Sequence, residues 1–292
     1  MSYRQSMIAV LGALNLDWVA QLPRLPRAGE TVLGHSLARH AGGKGGNQAV
    51  AAARLGAPVR FFGAVGQDAD GEELIAGLAA EHIDTQHVLR VARPSGCAMV
   101  QVADDGENSI VVLPGANELA PLPPPVWPPE LRRLMLQLEL PLPTVMAWAA
   151  AAAQAGVPVL LNAAPAMALP PELLRGLDCL LVNELEARAL CEGDIAALAA
   201  RGPRRVIVTL GARGALARDE GRPLQQLPHD VWMTDSTGAG DTFAGALAAA
   251  LWQGRTFDEA LRRAGVAAAL ACTRRGARVG MPTTLELEAA LR

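Results

Sequence analysis

A carboxylate that follows a run of small residues and opens a helix is a part that phosphoryl-transfer chemistry can use. The segment Thr234–Gly245 reads Thr-Asp-Ser-Thr-Gly-Ala-Gly-Asp-Thr-Phe-Ala-Gly, and Gly238, Ala239 and Gly240 run into the helix-forming stretch Thr242–Gln253. Small residues at a helix start let successive backbone N–H groups converge on one point, where the helix dipole also favours an anion. Asp241, the first residue of that predicted helix, reads in two ways. It is either an N-cap, a position that suits aspartate, or a base that takes a proton from a hydroxyl while neighbouring amides hold a transferring phosphoryl group.

A second glycine cluster, Gly42-Gly-Lys-Gly-Gly-Asn47, precedes the helical pattern Asn47–Leu55. It is not a P-loop, because no Ser or Thr follows the lysine, and it lacks the dinucleotide-binding spacing. Lys44 is the only lysine among 26 basic residues, which reads either as a place where a compact ammonium fits and a planar guanidinium does not, or as one lysine surviving by chance. Asn15 and Asp17, just past the apolar run Ile8–Leu14, add an amide and a carboxylate near the same sheet edge. Together with Gly43, Lys44 and Asn47 they form the donor and acceptor mixture that a neutral sugar needs, since each hydroxyl both gives and takes a hydrogen bond. Taken singly, Asn15 or Asp17 reads as a turn residue.

Three further positions have a chemical and a plain reading each. Glu139 follows the apolar run Leu134–Leu138 and either faces a ligand crevice or is a solvated surface group. Asn183-Glu-Leu-Glu186 offers oxygen ligands suited to magnesium through water, or a helix-starting capping pattern. Thr209, Leu210, Gly211, Ala212, Arg213 and Gly214 form a glycine turn that suits nucleotide phosphates or serves as a connection alone.

The elements that must position these groups follow from apolar periodicity. Strands are predicted at 8–14, 59–65, 134–138, 157–162, 179–182 and 206–210, alternating with helices at 47–55, 71–82, 144–155 and from Asp241 onward. That alternation predicts an α/β fold with a mostly parallel sheet covered on both faces. Two segments break the rhythm: 17–40, with an extended piece at 30–37, and the hairpin pattern 97–103 and 108–113 joined by Asp104-Asp-Gly-Glu107. They are expected to form a small antiparallel lid, about 15–41 and 95–116, within one domain spanning 1–292. Pro121–Pro129, with six prolines, reads as a surface connection.

Composition narrows the function classes. A net charge of −3 without a basic run argues against a nucleic-acid surface. Arg4 followed by apolar Met7–Leu14 has some signal-peptide character, yet it leads straight into Asn15 and Asp17 and reads better as a first strand. No apolar stretch is long enough for a membrane helix. Cys97, Cys179, Cys191 and Cys272 are dispersed without a CxxC pair, which points to a reduced, cytoplasmic protein.

The order of these motifs resembles the ribokinase (PfkB) family of carbohydrate kinases over residues 8–282. The resemblance is carried by Asn15/Asp17, Gly42–Asn47, Glu139, Asn183-x-x-Glu186, Thr209–Gly214 and Gly238–Asp241, most specifically by Asp235–Phe243. It implies a three-layer α/β/α fold with a β lid, a homodimer through the lids, and an ATP-dependent kinase acting on a sugar such as ribose at its 5-hydroxyl. In that family pattern Asp241 is the general base, and Gly238, Ala239 and Gly240 form an anion hole. Asn15, Asp17, Gly43, Lys44, Asn47 and Glu139 hold the sugar. Asn183, Thr209–Gly214 and Gly240 meet ATP, and Asn183 with Glu186 organises Mg2+ through water. Asp235, Thr237, Ala271, Arg274 and Gly276 fit a loop pair that holds K+ mostly through backbone carbonyls. The chain departs from the pattern at Gly280, where a serine lends a cation ligand, at His40-Ala41 ahead of the glycine loop, and at Gly46, where alanine is usual. Segment 187–205 is shorter than usual, and 121–129 replaces part of a helix. Two alternatives stay open: another acceptor (pentose, hexose, deoxyribose or nucleoside), and a sugar- or nucleotide-binding protein without catalysis.

Overall fold

Strands that are apolar on both faces require cover on both sides. The computed structural model, which describes residues 6–123 and 126–292, provides it. In chain order, β1 (Met7–Leu11), β2 (Asn15–Leu22) and β3 (Ser36–Gly42) lead into α1 (Lys44–Arg54), β4 (Val59–Gly66), α2 (Ala69–Ala80) and β5 (Asp84–Val91). The hairpin β6 (Gly96–Ala103) and β7 (Asn108–Leu113) is followed by β8 (Leu131–Leu136), α3 (Leu142–Gln154), β9 (Val159–Asn162), α4 (Pro171–Arg175) and β10 (Cys179–Asn183). Then come α5 (Glu184–Cys191), α6 (Ile195–Ala200), β11 (Arg205–Thr209), β12 (Ala215–Asp219) and β13 (Arg222–Gln226). The chain closes with α7 (Ala239–Trp252), α8 (Phe257–Ala271), the short α9 (Ala277–Gly280) and α10 (Thr284–Ala290).

Nine strands form one sheet in the order β13-β12-β11-β10-β9-β8-β1-β4-β5, parallel from β11 to β5, with β12 and β13 antiparallel at one edge. Its two faces feed separate cores. Ile8 and Val10 pack with α1, α2, α7, α8 and α10, whereas Ala9 and Leu11 pack with α3, α4, α5 and α6. This is the predicted three-layer α/β/α arrangement. From β1 the main sheet grows one way through β4 and β5, and from β8 it grows the other way. The carboxyl ends of β1 and β8 therefore flank the crevice where such sheets take ligands.

The second sheet has the order β3-β2-β6-β7. It was expected to be antiparallel, and two of its ladders are, but β2 and β6 pair in parallel. The extended piece expected at 30–37 lies instead at Ser36–Gly42, because Glu30 is used to close a turn, accepting hydrogen bonds from Arg24 and from the Arg27 amide. Asp17 stands opposite His40 across the β2–β3 ladder, so both share one face, while Ala41 turns the other way and packs toward the core. On that other face, Arg39 lies over the Trp18 ring and bridges to Asp70 (2.9 Å) and Glu73 (2.6 Å) on α2.

Several boundaries differ from expectation for a shared reason. α1 begins at Lys44 and α7 at Ala239, because the glycines expected to lie in loops are partly the first turns of the helices, and β1 stops at Leu11, just before Gly12 meets Gly45 in the first turn of α1. The edge strands β5, β12 and β13 and the helix α8 were not anticipated. Pro121 and Trp127, both within the proline tract, are tied down: Trp148 Nε1 donates to the Pro121 carbonyl (2.8 Å) and Trp127 Nε1 to the Leu131 carbonyl (3.0 Å). Arg4, Pro124 and Pro125 lie outside the described residues. Among the described residues no helix is long and apolar enough to cross a membrane.

Candidate active site

Two helix starts meet at the crevice. Gly43, at φ +83°, caps α1, and a Cβ there would lie 2.5 Å from the Ala13 carbonyl oxygen. A Cβ on Gly45 would lie 2.5 Å from Gly12 Cα, so the first turn of α1 presses onto the chain leaving β1. Further along α1, Gln48 and Ala51 meet Gly245 of α7, where a Cβ would lie 2.6 Å from both Ala51 Cβ and the Gln48 carbonyl oxygen, which holds α1 against α7. The close approach brings Asn47 Nδ2 and Gln48 Nε2 each to 3.0 Å from Asp241, one amide donor on each carboxylate oxygen. Gln137 Nε2 in turn donates to Gln48 Oε1 (2.8 Å).

Asp241 is buried and is the third residue of α7, not its cap; the N-cap is Gly238 at φ +78°. The capping reading of Asp241 is thereby corrected, because the left-handed turn at Gly238 starts the helix earlier. Gly238 also permits contact with α9, since a Cβ there would lie 2.8 Å from Ala277 Cβ. The Ala239 N–H donates to the Ser236 carbonyl (3.2 Å). The Gly240 and Asp241 N–H groups belong to the first turn, which has no preceding helical carbonyl to bond. A Cβ on Gly240 would meet no described atom within 4 Å, so that backbone faces open space.

Around this carboxylate stand charged groups from four other elements. Asp17, on β2, has its carboxyl pushed up to about 6 by burial first and then by Glu139 and Asp241, against the pull of Arg278 and Lys44. Glu139 accepts the Lys44 backbone N–H (2.8 Å), and burial raises its carboxyl above the ordinary range despite nearby Lys44. Burial alone would lower the Lys44 ammonium, but Asp241, Glu139, Glu186 and Asp17 together outweigh it and hold the cation above its ordinary value. Asn15 is buried, and its Oδ1 accepts from Asn117 Nδ2 (2.9 Å), while Asn117 Oδ1 accepts the Leu14 N–H (3.0 Å). Arg278 donates to Asn47 Oδ1 (3.0 Å) and to the Gly42 carbonyl (3.1 Å); burial lowers its guanidinium to about 10.

The neighbouring strand ends β10 and β11 carry the other motifs. Asn183 and Glu186 form a full capping box, with Glu186 N–H to Asn183 Oδ1 and Asn183 N–H to Glu186 Oε2, both 2.8 Å. The capping role is therefore real, and Glu186 is also buried, with its carboxyl raised first by that burial. Asn183 pairs with Thr209 across the ladder, so the Thr209–Gly214 turn lies beside it. There the Leu210 N–H donates to the Gly214 carbonyl (2.8 Å), Arg213 pairs with Glu184 (2.5 Å), and Gly211 at φ +58° has open space before it. Among the described residues no three His, Cys, Asp or Glu side chains cluster to hold a metal. A magnesium ion here would depend on nucleotide phosphates and water for most of its ligands.

Beneath α7, the loops around Asp235 and Gly276 are bound together. Asp235 accepts from the Gly276 N–H (2.8 Å), the Thr237 N–H (2.9 Å) and Thr237 Oγ1 (2.7 Å). Burial opposes ionisation of Asp235, yet these bonds outweigh it and hold the carboxyl below its ordinary value. The Thr234 and Asp235 N–H groups both donate to the Cys272 carbonyl. Arg274 pairs with Glu286, and Gly280 packs so closely on the Ala271 carbonyl that no Cβ fits there.

Asn15, Asp17, Gly43, Lys44, Asn47, Glu139, Glu186 and Asp241 are thus gathered at one crevice. Gln48, Asn117, Gln137 and Arg278 were not anticipated. Asparagine scarcity was a usable signal for Asn117, one of only six in the chain.

The chain is 39% identical to the ribokinase of Haemophilus influenzae over 96% of both chains, and 38% identical to that of Bacillus subtilis over 96% of this chain and 98% of the relative. The fold is similar to that of Arabidopsis thaliana ribokinase solved with ribose and ATP, with a TM-score of 0.90, 32% identity and 99% of each chain covered. The model of the pfkB family of carbohydrate kinases matches residues 5–284, and the chain belongs to that family.

Proposed function

We propose that this chain transfers the terminal phosphoryl group of ATP to the 5-hydroxyl of ribose, with Asp241 as general base. The observation that carries the proposal is the Asp241 carboxylate, held by two amide donors beside the open backbone of Gly240. The ribose and ATP bound to the Arabidopsis thaliana relative support the choice of substrates. In the reaction the hydroxyl proton passes to Asp241, the hydroxyl oxygen forms a bond to the γ-phosphorus, and the bond to the departing ADP breaks. Charge that develops on the phosphoryl oxygens meets the first-turn amides of α7 at Gly240 and Asp241, with Gly238 and Ala239 shaping the turn. Asn15, Asp17, Gly43, Lys44, Asn47 and Glu139 hold the sugar. Asn183, Thr209–Gly214 and Gly240 line the nucleotide.

When bound, Mg2+ neutralises phosphate charge; Glu186, through water, and Asn183 are the residues here that would orient it. K+ would be held by carbonyls of the loops at Asp235, Thr237, Ala271, Arg274 and Gly276, with no side-chain ligand from Gly280. Residues 1–292 act as one domain whose second sheet, about 15–41 and 95–116, is a lid. Two copies pair through these lids, covering Ile110 and Val112, which are 56% and 49% exposed on the face that Asp17 shares. His40 stands beside Asp17 on that face and favours a second reading in which a different pentose is the better acceptor.

The test is ADP release with pentoses, hexoses and nucleosides under magnesium, with and without potassium. Ribose is expected to give the highest kcat/KM, and a higher value for another acceptor would replace it. Asp241→Asn is expected to lower kcat about 10²–10⁴-fold while sugar and ATP still bind. Near-normal turnover in that variant would remove Asp241 from the chemistry.

A further inference from the structure

We propose that Arg278 is a positioning residue for the base, and that position 46 is glycine because the guanidinium occupies the space a side chain would need. The inference rests on the assignment of Asp241 as base.

An asparagine amide presents an oxygen on one side and an NH2 on the other, and a half-turn exchanges them. Which end faces Asp241 decides whether the contact is a hydrogen bond or a repulsion between oxygens. A guanidinium has donors only. Because Arg278 Nε donates to Asn47 Oδ1 (3.0 Å), the oxygen is drawn away from the carboxylate and Nδ2 is turned to Asp241 Oδ2 (3.0 Å). Arg278 is itself fixed at both ends. Its Nη2 donates to the Gly42 carbonyl (3.1 Å), and its own carbonyl accepts from Arg54 Nη1 (2.5 Å), whose guanidinium is paired with Glu81 (2.6 Å).

The space for this arm is specific. A Cβ on residue 46 would lie 2.5 Å from Arg278 Nη2 and 2.7 Å from Leu14 Cδ2. The Leu14 methyl is the free end of an apolar side chain, whereas the guanidinium is held by hydrogen bonds. Gly46 lies inside α1, where glycine is disfavoured relative to alanine, so helix propensity does not explain the residue. Arg278 and Gly46 are therefore coupled: the arm reaches Asn47 only past a residue without a side chain.

The experiment is a double-mutant cycle of Gly46→Ala and Arg278→Met, read in kcat and in thermal melting without substrate. Arg278→Met is expected to lower kcat about tenfold with the KM for ATP unchanged, as the loss of a charged hydrogen bond predicts. Arg278→Lys, which keeps a donor-only cation, is expected to retain more kcat than Arg278→Met. Gly46→Ala alone is expected to lower both kcat and Tm. In the Arg278→Met background the same alanine is expected to leave kcat unchanged and Tm level or raised, because helix propensity then acts unopposed. Equal losses from Gly46→Ala in both backgrounds would overturn the coupling, and kcat within twofold of the parent for Arg278→Met would overturn the positioning role. If the parent chain releases no ADP with any acceptor, the kinase reading fails and the positioning role with it. An additive cycle on an active parent counts against the Arg278 proposal alone.

Discussion

The two glycine-led helix starts look alike in sequence and do opposite things with their glycines. At the start of α1, Gly42, Gly43, Gly45 and Gly46 are each filled against by the protein itself: Asp17, Ala13, Gly12 and Arg278 occupy the places their side chains would take. At the start of α7, Gly238 is filled against by Ala277, but Gly240 meets nothing. The first cluster lets a helix approach its own protein, and so delivers Asn47 and Gln48 to Asp241. The second leaves backbone open to something that arrives from outside. A glycine cluster therefore marks close approach, and only the surroundings show whether the visitor is protein or ligand.

The contrast can be broken most forcefully at Gly45. Gly45→Ala sets a methyl against Gly12 Cα, a backbone atom that cannot turn aside, and is expected to destabilise the fold by about 3 kcal/mol. Denaturant melting checks this, and a parent-like midpoint would show that the helix start can back away. Gly240→Ala should behave the other way. With open space before it and helical backbone around it, it is expected to hold or raise stability, by up to about 1 kcal/mol. On the proposed mechanism its kcat is expected to fall about 10–100-fold, because the methyl would project where the first-turn amides are to hold the phosphoryl group. A variant that lost stability and kept its turnover would reverse the assignment of the two clusters.

A smaller effect concerns what α1 delivers. Gln48→Leu removes one of the two donors on Asp241 and is expected to lower kcat about tenfold. The smallest effect is at Asp17. Its folded value of about 6 lies above the ordinary 3.8, so the stability it contributes is complete below pH 3.8 and lost as pH rises through 6. Asp17→Asn cannot ionise, and its Tm should exceed that of the parent by roughly 2–4 °C at pH 8, with the gap closing below pH 4. A pH-independent gap would mean that Asp17 is not held against ionisation.

Much of this is legible in the amino-acid sequence alone. The runs Ile8–Leu14 and Cys179–Val182 are continuously apolar, and the carboxylates Asp17 and Glu186 follow shortly after them, where the alternation put them. The edge strands were hidden because exposed strands keep polar residues: β5 reads Asp-Thr-Gln-His-Val-Leu-Arg-Val, with its apolar residues confined to the last half. Gln48 and Gln137 are buried polar groups whose value lies in contacts made across long stretches of chain, which local pattern does not encode. Arg278 was hidden for a different reason. Lysine stood out as the single exception among 26 cations, but an arginine in such a chain carries no contrast, however specific its place.

The Asn47 amide touches partners 194 and 231 positions further along the chain. During synthesis the second sheet, Lys44 and most of the surrounding carboxylates leave the ribosome before Asp241 and Arg278 exist. If Asp241 is the base proposed above, a growing polypeptide can present most of the receptacle and still lack the means to spend a nucleotide. Neither contact can form until the chain has been made almost to its end, so on that reading the onset of turnover reports a nearly complete molecule.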